Sequence, residues 1–142
     1  MTSIQKATAK DAHQVFSLLK QLFQKEKLSK KKTIALFAAS LTDKESLQLV
    51  LRDQEVIGYA AAKFRNDIQV QGKVAYLSEF IIDKHQRSKG LGRRLLKDIA
   101  KQSKKAGCKE IHFPSTFKRK KAHTFYKSLG FNKTAYFFWK KL

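Results

Sequence analysis

The sequence predicts an α/β fold with a mixed, mostly antiparallel sheet flanked by helices. Two observations predict it. β-rich runs alternate with amphipathic helical repeats along the chain, and three consecutive β-rich runs between residues 46 and 82 are separated only by short polar turns. A chain of 142 residues is the size of one domain and is long enough to bury roughly 68–70% of its unfolded surface. A single domain over residues 1–142 is therefore expected.

Ile4 to Ala7 reads as a short strand, and Thr8 with Asp11 has the spacing of a capping box. The helix after it repeats Ala12, Val15, Leu18, Leu19 and Leu22 on one face. Ser29 can cap a second helix through "KKKTIALFAAS". "SLQLVLR" and "VIGYAAAKF", separated by "DQE", form a hairpin, and "KVAYLSEFII" follows across the polar turn "NDIQVQG". A helix with Leu91, Leu95, Leu96 and Ile99 on one face then runs to Gly107, a natural stop. "EIHF" is a short strand cut by Pro114, "KKAHTFYKSLG" a last helix ending before Gly130, and "FNKTAYFFWKK" one or two closing strands. The expected order is β-α-α-β-β-β-α-β-α-β-β.

No apolar run reaches the ~18 residues of a membrane span, and "MTSIQKATAKDAHQ" lacks the apolar core of a signal peptide. One cysteine excludes an internal disulfide framework and a CxxC metal site. A cytoplasmic protein that needs no metal and no membrane is expected. The outlying property is charge: 31 basic against 11 acidic residues give +20. Such a field attracts nucleic acid, an anionic cofactor or an anionic substrate, and it is equally what a lysine-rich solubilising surface produces.

The segment "DKHQRSKGLGRRLLKD" crowds six cations around Gly90 and Gly92 just where a helix begins. Helix N-termini favour anions, so cations there make sense around a phosphate-bearing ligand. A Walker-A loop is absent. A dinucleotide fingerprint fails because "GLGRRL" ends in Leu95 and "DKHQRSK" separates it from the preceding strand. "RSKGLG" does match Q/R-x-x-G-x-G/A, and "AHTFYKSLGF" follows downstream. With these two segments the chain resembles the GNAT superfamily of acetyl-CoA-dependent N-acetyltransferases. The element order fits over essentially the whole chain, and the motif-level match over residues 75 to 131.

The resemblance implies that Arg87, Ser88, Lys89, Gly90, Leu91, Gly92 and Arg93 wrap the pyrophosphate of acetyl-CoA, with Arg94 nearby. It also implies that the backbone of Phe80, Ile81 and Ile82 pairs with the pantetheine amides. Two positions depart from the family pattern: Ser88 where a glycine is usual, and Arg119 where many members place an asparagine. Direct acetyl transfer to a primary amine needs a base and an acid. Tyr126 is the candidate acid, as a phenol able to protonate a thiolate; the alternative is a helix-face tyrosine bonded to backbone. Glu79 is the candidate base, expected by period-2 alternation on the apolar face of Leu77 and Ile81, where burial raises a carboxyl pKa; the alternative is an edge carboxylate paired to a lysine.

Cys108 reads as a small buried hydrophobe and His85 as a surface histidine beside the loop. His112 and His123 lack metal-ligand spacing, and His123 shares a helix face with Tyr126. "KRKK", residues 118 to 121, suits solvent, the CoA 3′-phosphate or an acidic substrate. "AYFFWKK" is apolar on both faces and points to a homodimer contact. The acceptor is expected to be a small-molecule or protein amine, neutral or anionic rather than polycationic, because the overall field repels cations. The competing reading is a non-catalytic, basic nucleic-acid-binding module on the same scaffold; no helix-turn-helix, RRM signature or zinc finger supports it.

Overall fold

The computed structural model describes residues 1–142, and its backbone groups into two compact units, Met1–His112 and Phe113–Leu142. The first unit runs β1 (Ser3–Lys6), α1 (Ala12–Leu22), α2 (Lys30–Leu41), β2 (Ser46–Asp53), β3 (Glu55–Asp67), β4 (Gly72–Ile82), α3 (Leu91–Lys105) and β5 (Cys108–His112). The five strands lie in sequence order, antiparallel except for the parallel β4–β5 ladder. This is the mixed sheet the sequence predicts.

Local chemistry sets the entries to the helices. Asp11 accepts the Thr8 N–H at 2.8 Å, completing the capping box, and also pairs with Arg52 of β2. The start of α1 is thereby fixed to the sheet. Ser29 Oγ accepts the Lys32 N–H at 3.2 Å and opens α2.

Ladder register distributes the side chains between two layers. Val50, Tyr59, Ala61 and Ile81 face α1 and α2, packing with Val15, Leu18, Leu19 and Phe37. The alternate residues Leu49, Leu51, Ala60 and Ala62 face the other way, toward α3, whose Leu95, Leu96 and Ile99 are fully buried. Gly58 lies where β2, β3 and β4 crowd together. A Cβ there would stand 2.8 Å from Ile82 Cδ1 and 3.1 Å from Leu51 Cβ.

Strand β4 breaks the alternation. Ala61 pairs with Glu79 but Ala62 pairs with Leu77, so Ser78 is an extra, exposed residue in a β-bulge, its Oγ 3.3 Å from the Ala61 carbonyl. The expectation that Glu79 shares a face with both Leu77 and Ile81 is corrected accordingly. It shares the α1/α2 face with Ile81, whereas Leu77 points to the α3 side.

In the second unit α4 (Lys120–Ser128) is the only regular element. Its stop is a Schellman turn: Gly130, at φ +89°, donates to Lys127 O at 3.0 Å, and Phe131 donates to Tyr126 O at 3.1 Å. Tyr126 and Phe131 are also in aromatic contact, 6.3 Å between ring centroids, as this turn favours. The closing strands expected in "FNKTAYFFWKK" do not form, and Tyr136 to Trp139 are exposed. A ladder requires a neighbouring strand, and Phe113–Leu142 contains none.

Candidate functional site

The connection from β4 to α3 makes two left-handed excursions, Ser88 at φ +65° and Gly90 at φ +75°. Gly90 is the N-cap of α3 and supplies no side-chain cap, and no acidic residue occupies the first turn. Arg94 is the first residue of the helix to donate back, to Gly90 O at 3.2 Å. The N–H groups of Leu91, Gly92 and Arg93 therefore project from the helix end without helical acceptors. An anion held there would meet the positive end of the dipole.

The cations of this segment are not equivalent. Arg87 folds back so that its Nε donates to Ile82 O at 3.1 Å, bracing the loop against the end of β4. Arg94 is bonded to Thr2, and Lys89 Nζ donates to Gln86 Oε1 at 3.0 Å. Arg93, exposed on the first turn of α3, has no such tether.

β5 accompanies β4 only up to the Tyr76–His112 pair, so from Leu77 to Ile82 that side of β4 has no strand. Asp83 donates to Ile57 O on β3 at 2.8 Å. By alternation the Ile81 backbone also faces β3, while the N–H groups of Phe80 and Ile82 face the open side. Helix end, left-handed loop and open edge together fit a ligand with both phosphate and amide groups.

On the α1/α2 face a cavity of about 220 Å³ reaches down to Glu79. Leu19, Phe23, Leu28, Leu36 and Phe37 supply its apolar walls. Thr33, Ser40, Tyr59 and Glu79 supply the polar atoms. Burial pushes the Glu79 carboxyl above the usual carboxylate range, and a hydrogen bond with Ser78 pulls it part of the way back. Burial, reinforced by the Glu79 charge, raises the Tyr59 hydroxyl well above its ordinary value, so it stays neutral. Phe37 stands edge-on to Tyr59 at 6.0 Å.

Comparison with known proteins decides the family: the model of the acetyltransferase (GNAT) family matches residues 12–131. The chain belongs to the GNAT acetyltransferase family. An aminoalkylphosphonate N-acetyltransferase of Salmonella typhimurium is 26% identical over 137 residues, covering 96% of this chain and 88% of that protein. Among solved structures, one described as a transcriptional regulator from Bacillus halodurans C-125 superposes with a TM-score of 0.91 at 21% identity, each chain fully covered. An aminoglycoside N-acetyltransferase in complex with CoA superposes with a TM-score of 0.87 at 19% identity, covering 100% of this chain and 95% of that one. The family match bears out the acyltransferase class, and the structural likenesses bear out the fold.

Elsewhere in this GNAT acetyltransferase, Tyr126 is buried on α4 and its ring packs edge-on against Phe113 at 4.6 Å. Burial raises its hydroxyl, and the Arg119 guanidinium beside it lowers it in part. The departure at Arg119 thus places a cation next to the candidate acid. His123 is engaged with Ser115 Oγ at 3.1 Å, and His112 with Glu110 at 2.8 Å. Cys108 is buried and its thiol is pushed up by that burial, so it is a poor nucleophile. No group of three His, Cys, Asp or Glu side chains stands together as a metal site.

Sequence reasoning singled out Glu79 as a candidate but missed the cavity that it lines. Its walls come from α1, α2, the segment between them and β3, and only the fold brings them together. One signal was available: the adjacent polar pair Ser78–Glu79 inside an apolar strand cannot satisfy strict alternation and marks a bulge.

Proposed function

We propose that this chain is an N-acetyltransferase that moves the acetyl group of acetyl-CoA to a primary amine by direct attack. The observation that carries this reading is Glu79. It is a half-buried carboxylate with a raised pKa at the bottom of an apolar cavity, on the strand whose opposite edge is open.

Acetyl-CoA supplies an activated acetyl thioester. The N–H groups of Leu91, Gly92 and Arg93, together with the exposed Arg93 side chain, are assigned to its pyrophosphate. Ser88, Lys89 and Gly90 shape the loop, and Arg87 braces it. The backbone of Phe80 and Ile82 is assigned to the amides of the pantetheine arm, with one N–H positioned to polarise the acetyl carbonyl. Ile81, whose backbone faces β3, contributes its side chain to the core instead.

An alkyl ammonium, with a pKa near ~10, must lose a proton before it can attack. Glu79 accepts that proton, directly or through water; its raised pKa makes it a stronger base than an exposed carboxylate. As the new C–N bond forms and the C–S bond breaks, the sulfur leaves as a thiolate that requires a proton. Tyr126 is assigned that donation, because its buried phenol stays protonated at neutral pH and lies next to Arg119.

The test is calorimetric titration of acetyl-CoA into the wild type and Gly92→Glu at about 150 mM salt, an ionic strength that screens loose surface attraction. Amine-dependent release of CoA is then followed in wild type and Glu79→Gln. Saturable binding lost in Gly92→Glu, with turnover lost in Glu79→Gln, is expected. Binding indifferent to Gly92→Glu overturns the cofactor assignment and brings the nucleic-acid-binding reading forward.

A further inference from the structure

We infer that the acceptor is a small primary amine with an apolar or aromatic body and no second charge, and this rests on the transferase reading above. The cavity over Glu79 contains one ionisable carboxylate and no Lys, Arg or His. In a chain with 31 Lys and Arg, a cavity lined by one carboxylate and no cation offers an ammonium group a contact that the overall charge does not. A single carboxylate in an apolar cleft pairs with one ammonium group and leaves no cation to receive an anion, only the neutral hydroxyls of Thr33, Ser40 and Tyr59. A phosphonate or carboxylate on the acceptor would be desolvated without a cationic partner and repelled by Glu79. A second ammonium would find no second carboxylate, only apolar walls and the neutral hydroxyls of Thr33, Ser40 and Tyr59.

The walls favour apolar bulk. Phe37 and Tyr59 form an edge-on aromatic pair beside Glu79, and Leu28 and Leu36 continue the apolar surface toward the mouth, where Leu36 is 72% exposed. Aromatic rings also interact well with a nearby ammonium. The volume of about 220 Å³ holds one ring or a short alkyl chain. This departs from the Salmonella relative, whose named substrates carry a phosphonate. It also departs from the preference for anionic amines that net charge alone suggests. The +20 field acts at long range and is screened beyond roughly 8 Å at physiological salt, whereas Glu79 acts in contact.

The experiment measures CoA release at saturating acetyl-CoA with phenethylamine, hexylamine, aminoethylphosphonate and spermidine as acceptors. Phenethylamine or hexylamine should exceed aminoethylphosphonate in kcat/KM by at least about 100-fold, the scale of one buried hydrophobic group before any cost of an unpaired charge is added. The rim variant Leu36→Arg, at an exposed position that does not threaten folding, should narrow that ratio at least about tenfold by giving the phosphonate a cation. A wild-type preference for aminoethylphosphonate or spermidine overturns the specificity and leaves the transferase reading standing, as does a ratio unmoved by Leu36→Arg. If no acceptor is turned over and acetyl-CoA does not bind, the transferase reading itself falls.

Discussion

Ser88 should be worth more as a glycine. At φ +65° it occupies the left-handed region, where an L side chain costs about 1–2 kcal/mol. Glycine removes that cost but gives the unfolded chain more freedom, which returns up to about 1 kcal/mol. Ser88→Gly is therefore expected to stabilise the fold by about 0.5–1 kcal/mol, roughly 2–4 °C in Tm for a chain of this size. Gly90→Ala is the reciprocal control. Nothing lies within 4 Å of a Cβ built at Gly90, so the penalty there is purely one of dihedral angle. It should lower stability by about 1 kcal/mol. Urea titration read by circular dichroism gives both values, and calorimetry with acetyl-CoA reports whether the loop still binds. A Ser88→Gly protein with an unchanged or lower midpoint would refute the strain argument, since the loop would then need the serine for something other than its backbone.

Glu79→Gln should lower kcat by roughly 10²-fold or more and flatten the acidic limb of the kcat/KM profile, whose midpoint in the wild type should lie above the ordinary carboxylate range. Because the folded pKa of Glu79 is raised, the folded state holds that proton more tightly. Stability is then lost as pH rises from the unfolded value through the folded one, so Glu79→Gln should gain on the wild type in thermal melts near neutral pH and lose that gain below about pH 4. Tyr126→Phe keeps the ring contacts with Phe113 and Phe131 and should leave the melting temperature and acetyl-CoA binding nearly unchanged, while slowing turnover about 10²-fold in steady-state assays. Gly58→Ala should destabilise the fold by about 1–3 kcal/mol in urea titration, since its Cβ would strike Ile82 and Leu51.

The parts legible in sequence were those encoded by neighbours along the chain. The capping box at Thr8–Asp11, the Ser29 cap and the glycine stop at Gly130 are each decided within a few residues, and each formed. The cation-rich helix start was legible for the same reason. The bulge at Ser78 was not, because alternation was extended through "LSEF" as though each residue had one partner. The roles of individual cations were also hidden, since Arg87 and Arg94 are engaged by Ile82 and Thr2 through contacts that only folding creates. The closing aromatic run has strand composition, but composition does not supply a partner strand. The "GF" that ends the second motif proved to be a helix stop, so part of that hallmark is architecture.

The extra residue at Ser78 works as a half-turn of phase. Upstream of it, even-numbered positions of β4 such as Val74 look one way; downstream, it is the odd-numbered Glu79 and Ile81 that serve the α1/α2 layer. Removing Ser78 would restore strict alternation and force a choice. Either the carboxylate turns into the leucine-packed layer beneath α3, or everything N-terminal to it in β4 slips by one register position. A one-codon deletion would thus do what no substitution at Glu79 can: retain the acid in the gene while exchanging the side of the sheet it serves.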